Sequence, residues 1–352
     1  MSLLVNIQKK LKSLNLNINL DTEGESTGVL GASGCGKSLT LKCIAGIETP
    51  DSGRIILNDR VLFDSEKNIN MKPQDRNIGL LFQSYALFPN MTVRENIEIA
   101  VKDKKKKSTV ANNMLSMLRI GHLQKSYPNQ ISGGEQQRVA LARMMAYEPE
   151  LMMFDEPFSA LDLFLKDQLQ QEILEVLKEF PGETLMVSHS REELYRFCDD
   201  IVVISQGHTI EKGKKEEVFR SPCDIATAKL TGCKNISRAK KLSDYEVRAL
   251  DWNINLETCR YVEEDISYVG IRAHNLKPCI KKEKNSIPVK LAGFSEGPFE
   301  NNIILNNPTE GGDLKIWWII SKQEWKNGLN ERVPERLSFP KEHLLLLKDS
   351  LQ

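Results

Sequence analysis

The eight residues Gly31 to Ser38, "GASGCGKS", satisfy the spacing G-x-x-x-x-G-K-[ST] in full, after the strand-like "TGVL" and before the helical "LTLKCIAGI". A loop of this kind lets backbone N–H groups wrap a phosphate chain while the next helix turns the positive end of its dipole towards it. Gly31, Ala32, Ser33, Gly34, Cys35, Gly36, Lys37 and Ser38, with Leu39 opening the helix, are the expected nucleotide-contacting residues. Lys37 suits the β- and γ-phosphates, and the Ser38 hydroxyl suits magnesium. Cys35 is read as a small loop residue with no redox role.

Further polar residues close apolar runs. "LMMF" leads into Asp155 and Glu156. A carboxylate at a buried strand end can hold magnesium, directly or through water, which suits Asp155. Glu156 is placed to polarise an attacking water, a role worth about 10²–10⁴-fold in rate. "TLMVSH" ends in His189, whose neutral imidazole could hydrogen-bond a γ-phosphate, and "IGLLFQ" ends in Gln83, a candidate for magnesium or the water. An acidic strand end, a structural histidine and an ordinary glutamine are the plainer readings; a full phosphate loop in the same chain favours the chemical ones. A second glycine-bearing stretch, "ISGGEQQR" at residues 131 to 138, puts Ser132 and the N–H groups of Gly133 and Gly134 at a helix start, where an anion site and a simple N-cap share one geometry.

The positioning elements follow from pattern. "STGVLG", "GRIILN", "NIGLLF", "LMMFDE" and "TLMVSH" alternate with "KSLTLKCIAGI" and "LKDQLQQEILEVLKEF", which predicts an α/β domain on a largely parallel sheet. After about residue 230 short β-prone segments dominate ("YEVRAL", "SYVGIRA", "IPVKLAGF", "NNIILNN", "LKIWWII"), which predicts a smaller all-β domain, a compact barrel. A length of 352 residues fits two domains. Equal numbers of basic and acidic residues, 48 each, argue against a nucleic-acid partner. Seven scattered cysteines with no C-x-x-C argue against disulfides or zinc and for a reducing compartment. The N-terminus lacks the apolar core of a signal peptide, and no run approaches the roughly 20 apolar residues of a membrane span. The lysines of "KDKKKK" (Lys102, Lys104 to Lys107) read as a solvated loop, with contact to anionic lipid as the alternative.

Taken in order, "GASGCGKS", Gln83, "ISGGEQQR", "LMMFDE", "SALD" (Ser159 to Asp162) and His189 resemble the Walker A, Q-loop, signature, Walker B, D-loop and switch histidine of ABC-transporter ATPases, over about the first 230 residues. The resemblance implies a P-loop NTPase cassette, residues 1–230, with a mixed sheet core and a helical subdomain near 84–146. A small all-β, OB-like and TOBE-like regulatory domain would follow at 231–352. It implies ATP and Mg2+, with Glu156, His189 and Gln83 in catalysis and Ser38, Gln83 and Asp155 at the metal. Two cassettes would close head to tail, so that Ser132, Gly133, Gly134 and Glu135 meet ATP on a second ATPase subunit, expected to be another copy. "LLFQSYALFPNMTVRENI" is similar to the segment of import-type cassettes that receives a helix of the permease; Tyr85, Leu87, Phe88 and Pro89 are the surface candidates, with core packing as their alternative. Permease subunits, an extracellular or periplasmic substrate-binding protein and a place on the cytoplasmic face of the membrane are implied with it.

"YVGIRAHNLKP" is similar to the "GIRPEH" segment of the appended barrel, and "LNDRVLFDSEKNINMKPQDRNIG" to molybdate-type members. An oxyanion, molybdate before tungstate or sulfate, is therefore the expected cargo; a polyamine, sugar or iron, or a soluble ATPase without transport, are alternatives. So is an oxyanion sensor using Arg272, His274 and Lys277. Two features depart from the family. No Phe, Tyr, Trp or His precedes Lys37, which leaves Leu11 or Leu14 as the platform for the base, or no platform at all, and predicts comparable use of ATP and GTP. Glu135 stands where glutamine is usual and is expected to turn away or pair with Arg138.

Overall fold

Apolar runs form the strands that the sequence suggests, and several more, in a computed structural model that describes residues 2–22, 26–159, 163–307 and 315–350, with backbone alone at 163–165. The chain divides into two compact units, Met1–Lys215 and Glu216–Gln352. The strands of the first are β1 (Leu3–Lys10), β2 (Asn15–Thr22), β3 (Ser26–Leu30), β4 (Ser52–Leu57), β5 (Arg60–Asp64), β6 (Ile69–Asn70), β7 (Ile78–Leu81), β8 (Leu151–Asp155), β9 (Glu183–Ser188), β10 (Asp200–Ser205) and β11 (His208–Lys214). They hydrogen-bond in the order β6-β5-β4-β1-β2-β11-β10-β3-β9-β8-β7.

The sheet has two characters. From β10 through β3, β9 and β8 to β7 every pairing is parallel, and β8 and β9 are buried almost throughout, as strands covered on both faces must be. From β6 to β2 every pairing is antiparallel, and β1 and β2 alternate buried and exposed residues. The sheet is thus mixed, and the largely parallel arrangement holds for one half only. The polar and apolar alternation of the N-terminus belongs to the other half: Leu3, Val5, Ile7, Leu16, Ile18 and Leu20 turn inward onto Leu41 and Ile44. Each such side chain, fully buried, contributes about 1.5–3 kcal/mol, so a slip of one residue in register is strongly opposed.

The helices are α1 (Lys37–Ala45) after β3, α2 (Val93–Glu98), α3 (Lys107–Met117) and α4 (Gly133–Ala146) between β7 and β8, α5 (Leu163–Glu179) before β9 and α6 (Arg191–Phe197) before β10. Arg76, fully buried, donates to the last-turn carbonyls of Cys43 (2.9 Å) and Ile44 (2.7 Å) and to Met71 O (2.9 Å). A cation at the negative end of α1 anchors the helix that starts at the phosphate loop. No helix among the described residues is long and apolar enough to cross a membrane.

The second unit is β-rich. Strands Asn235–Ser243, Glu246–Ala249, Ile254–Glu257, Tyr268–Ile271 and Leu345–Leu347 form one sheet, and two three-stranded sheets pack with it around Trp252, Trp318 and Phe339. Helix Lys322–Leu329 adds Trp325 to that core.

Candidate functional site

The parallel half of the sheet lines up the chemistry. Leu30 of β3 is paired with Ser188 of β9, Val187 with Asp155 of β8, and Phe154 with Leu81 of β7. The phosphate loop, His189, Asp155 with Glu156, and Gln83 therefore all emerge beside one another from the carboxyl ends of neighbouring strands, where open α/β sheets bind ligands.

The chain turns through Gly31–Gly36 before α1. Gly36 has φ 110°, a value glycine reaches without a Cβ penalty, and a Cβ there would come within 2.5 Å of Leu16. Gly31 is held to glycine by space, since a Cβ would lie 2.5 Å from Cys35 Sγ and from Ile204 O. Cys35 is buried, which pushes its thiol up, and it fills the underside of the loop in neutral form. Lys37 is only 5% exposed; its Nζ donates to Gly31 O at 2.8 Å and Ala32 O at 3.0 Å. An ammonium has three donors, so it ties the loop across its mouth and keeps one for an anion. Ala32, Ser33 and Gly34 are exposed, and Leu39 packs against the core.

Ser38 Oγ donates to Asp155 Oδ1 at 2.8 Å. Burial pushes the Asp155 carboxyl above the ordinary carboxylate value against the pull of that hydrogen bond, and the neighbouring Glu156 adds to the rise. A half-buried carboxylate beside a hydroxyl is a pair of hard oxygens suited to a cation. Glu156 adopts φ 48°, left-handed for a residue with a side chain, while its N–H still donates to Val187 O at 2.9 Å. Its carboxylate stands 3.4 Å from Nδ1 of His189, whose side chain is more than half exposed. Gln83 Nε2 donates to Ser159 Oγ at 3.2 Å, and that hydroxyl donates to Glu156 O at 3.0 Å, which joins Gln83 to the turn after Asp155. Ala160, Leu161 and Asp162, the rest of "SALD", lie outside the described residues.

The signature residues are built differently. Ser132 is the N-cap of α4: its hydroxyl and its N–H both donate to Glu135 Oε2 at 2.8 Å, and the Glu135 N–H returns to Ser132 Oγ at 3.4 Å. This reciprocal cap holds the Glu135 carboxyl below its usual value, chiefly through the Ser132 backbone N–H. The expected pair with Arg138 is not formed. Arg138 Nε lies 2.8 Å from Glu172 Oε2 on α5, while Glu135, three residues past the cap, already has two donors. An added Cβ at Gly133 or Gly134 would meet nothing within 4 Å. Glycine inside a helix costs roughly 0.5–1 kcal/mol relative to alanine, and nothing in this chain asks for two of them. Among the described residues no hydrogen bond or ion pair joins Ser132 to Glu135 with the phosphate loop.

A groove of about 660 Å³ lies between the exit of β7 and α4, lined by Phe82, Phe88, Ile99, Ala140, Met144 and Tyr147 among others. Of the four surface candidates beside it, Phe88 and Pro89 are exposed and Leu87 is half-buried. Tyr85 is not a surface residue: it is buried, and its hydroxyl donates to Gln137 Oε1 at 3.2 Å. The reason is backbone, since Tyr85 and Ala86 both turn left-handed (φ 59° and 46°), and Arg143 donates to their carbonyls at 3.0 and 2.8 Å. The β1–β2 turn leaves Leu11 40% exposed, and Leu14 packs against the core and lies against Gly36. In the second unit Arg272 donates to Thr231 O (2.8 Å), Thr231 Oγ1 (3.1 Å) and Phe219 O, so it clasps its own unit. Partial burial, with the charge of Arg272, holds His274 in the turn Ala273–Asn275 below its ordinary pKa. Sequence reading passed over Ser188 and Glu193, which back the His189 segment; the readable signal was the S-x-x-E of "SREE", a helix-cap pattern at α6.

No cluster of three or more His, Cys, Asp or Glu among the described residues could hold a metal unaided. Ser38 and Asp155 nevertheless fit Mg2+, which takes few protein oxygens and shares the phosphate oxygens of a nucleotide. A family profile described as ABC transporter matches residues 11–159. The chain is 33% identical over 303 residues to the glucose import ATP-binding protein of Saccharolobus solfataricus, covering 82% of this chain and 83% of that one. It is 39% identical over 242 residues to the probable sulfate/thiosulfate import ATP-binding protein of Chlorella vulgaris, covering 66% and 100%. A bacterial ABC transporter cassette solved as a dimer shares 28% identity at a TM-score of 0.52, covering 61% of this chain and 99% of that one. Other relatives are named for import of Fe(3+), in Haemophilus influenzae, and for transport of putrescine, in Escherichia coli. The site's geometry and these likenesses lead to one assignment: the chain belongs to the ABC transporter family, as an import-type subunit that binds ATP with Mg2+ and hydrolyses it.

Proposed function

We propose that two copies of this chain close head to tail around two ATP molecules at the cytoplasmic face of a membrane, and that hydrolysis there drives import of an oxyanion through permease subunits. The observation that carries this is the pair Gly133 and Gly134 at the head of a capped helix, where an added Cβ would meet nothing within 4 Å, so the chain's own packing does not require glycine at either place. A triphosphate held on the neighbouring copy's loop is the ligand that such a helix start suits.

In this reading Gly31–Ser38 cradle the phosphates, with Lys37 at the β- and γ-groups. Ser38 and Asp155 hold Mg2+, with Gln83 beside it; bound there, the ion offsets phosphate charge and fixes its orientation. Glu156 polarises water and His189 orients the reacting phosphate, the 3.4 Å contact keeping the two side chains together. Ser132, Gly133, Gly134 and Glu135 close the pocket from the partner copy. The permease docks on the groove at Phe88, and an extracellular or periplasmic binding protein delivers cargo to it. Residues beyond 230 serve as a regulatory domain.

Molybdate is the first cargo to test. Residues 57–79 support it by their similarity to molybdate-type members, and the sulfate/thiosulfate relative supports the oxyanion class. Uptake of labelled molybdate, tungstate and sulfate by cells carrying the chain and its permease should disappear with Lys37→Ala. Accumulation of glucose, iron or putrescine in place of all three anions would overturn the oxyanion assignment.

A further inference from the structure

Behind His189 lies a buried polar network. Ser188, the last residue of β9, is fully buried; its hydroxyl accepts the Ser190 N–H at 2.9 Å and donates to Glu193 Oε2 at 2.5 Å. One hydroxyl therefore ties the residues on both sides of His189 to a single carboxylate. Glu193 is 5% exposed, and its other oxygen lies 2.5 Å from Lys166 Nζ on α5. α5 follows the segment that starts at Glu156 and Ser159, so this ion pair links the chain after Glu156 to the chain around His189. Glu156 and His189 meet at 3.4 Å, and the network holds the backbone on both sides of His189. Glu193 touches neither the phosphate loop nor Ser38, which separates it from nucleotide binding.

We propose that Glu193 is a positioning residue for ATP hydrolysis, which holds the His189 imidazole against the Glu156 carboxylate through Ser188 and Lys166. A carboxylate is required because the two contacts differ in kind: Oε2 accepts from a hydroxyl while Oε1 balances an ammonium in a mostly dry setting, where an unpaired charge is costly. Displacements of about 1 Å at a reacting centre can cost on the order of 10²-fold in rate, so a smaller, tethered slip of His189 costs about tenfold. The inference rests on the reading above that His189 and Glu156 serve hydrolysis.

The test is a double-mutant cycle on the full chain, read as phosphate release against ATP concentration. Glu193→Gln keeps the side chain's volume and an acceptor for Ser188 but removes the charge opposite Lys166. It should lower kcat about tenfold and leave KM for ATP within about twofold. In a His189→Ala background, where no imidazole is left to position, Glu193→Gln should change kcat by less than about twofold. Ser188→Ala, which removes one hydroxyl and leaves the ion pair, should show the same convergence and serves if Glu193→Gln does not fold. Unchanged kcat in both single variants, a raised KM at constant kcat, or a full further loss in the double variant would each overturn the proposal while leaving His189 in the mechanism. Wild-type turnover in His189→Ala alone would instead remove the parent reading, and this proposal with it.

Discussion

Gly134→Asp separates what the signature helix does for its own chain from what it does for a neighbour. Within the chain the substitution is benign: the new Cβ meets nothing within 4 Å, and an acidic residue in the first turn of a helix is favourable by about 0.3–1 kcal/mol. Across a head-to-tail interface the sign reverses. A carboxylate about 4 Å from a phosphate charge at an effective dielectric of about 20 is disfavoured by about 4 kcal/mol, or three decades in binding. The variant should therefore unfold at the wild-type temperature or above it and yet release almost no phosphate. Lys37→Ala fails for the opposite reason: it removes the ammonium that spans Gly31 O and Ala32 O, and its signature stays intact.

Mixing the two inactive chains makes the prediction quantitative. In equal amounts about half of randomly paired dimers are mixed, and each mixed dimer has one site built from two intact halves and one from two damaged ones. About a quarter of all sites are restored, so phosphate release per chain should recover to about a quarter of wild type. The measurement is steady-state phosphate release at saturating ATP on the separate and mixed proteins. A mixture no more active than the average of its components would refute a site shared between copies. So would a Gly134→Asp chain with full activity alone.

Three further outcomes are expected. Glu156→Gln should keep ATP affinity, lose most hydrolysis and elute as a dimer with ATP in size exclusion; unchanged turnover would take Glu156 out of the reaction. With Leu11 exposed and no aromatic platform in the first 37 residues, turnover with GTP should lie close to that with ATP, and a strong preference for ATP in parallel assays would show that another residue reads the base. Glu135→Ala keeps the N–H that Ser132 Oγ caps but removes the carboxylate that accepts from the Ser132 N–H and hydroxyl, about 1 kcal/mol, and should lower the melting temperature by about 2–4 °C at neutral pH. Because the folded Glu135 carboxyl lies below its usual value of 4.5, that difference is present in full above about pH 4.5 and shrinks as pH falls through the folded value; a gap that persists in acid would contradict it.

What could be read in advance was set by how local its cause is. Gly31–Ser38 are fixed by a loop whose every constraint lies within eight residues and the flanking strand and helix, so pattern sufficed. Asp155, Glu156 and His189 were legible as strand ends because parallel strands write themselves as unbroken apolar runs. Their 3.4 Å and 2.8 Å contacts were not, since these depend on β3, β9 and β8 lying side by side, an ordering that no single run encodes. Tyr85 shows the opposite failure. An aromatic beside Phe88 and Pro89 looks like surface, but two consecutive left-handed residues turn it into the core, and neither Tyr85 nor Ala86 advertises that conformation. Arg76 and Glu193 are charged residues in the interior. Composition argues for exposure at both, and only the carbonyls of α1 in one case and Ser188 with Lys166 in the other explain their burial.

Of the two expectations for Glu135, to turn away or to pair with Arg138, the pairing fails for a reason that bears on the proposed shared site. Its pairing with Arg138 was sought along the helix, whereas S-x-x-E names the partner directly: Ser132, three residues back. The cap has a consequence beyond stability. A serine hydroxyl has one proton to give, and in the isolated chain Ser132 gives it to Glu135. A phosphate arriving on a neighbouring copy would compete for that proton, and Glu135, an acceptor only, would lose its hydroxyl donor while keeping the Ser132 N–H. Closure over ATP is then an exchange of one acceptor for another at Ser132, with a carboxylate left facing a triphosphate. A glutamine at this position could accept from the same N–H and offer its amide protons to the phosphate. By this argument the glutamate stabilises the open cassette by capping α4 and opposes the closed dimer through its charge.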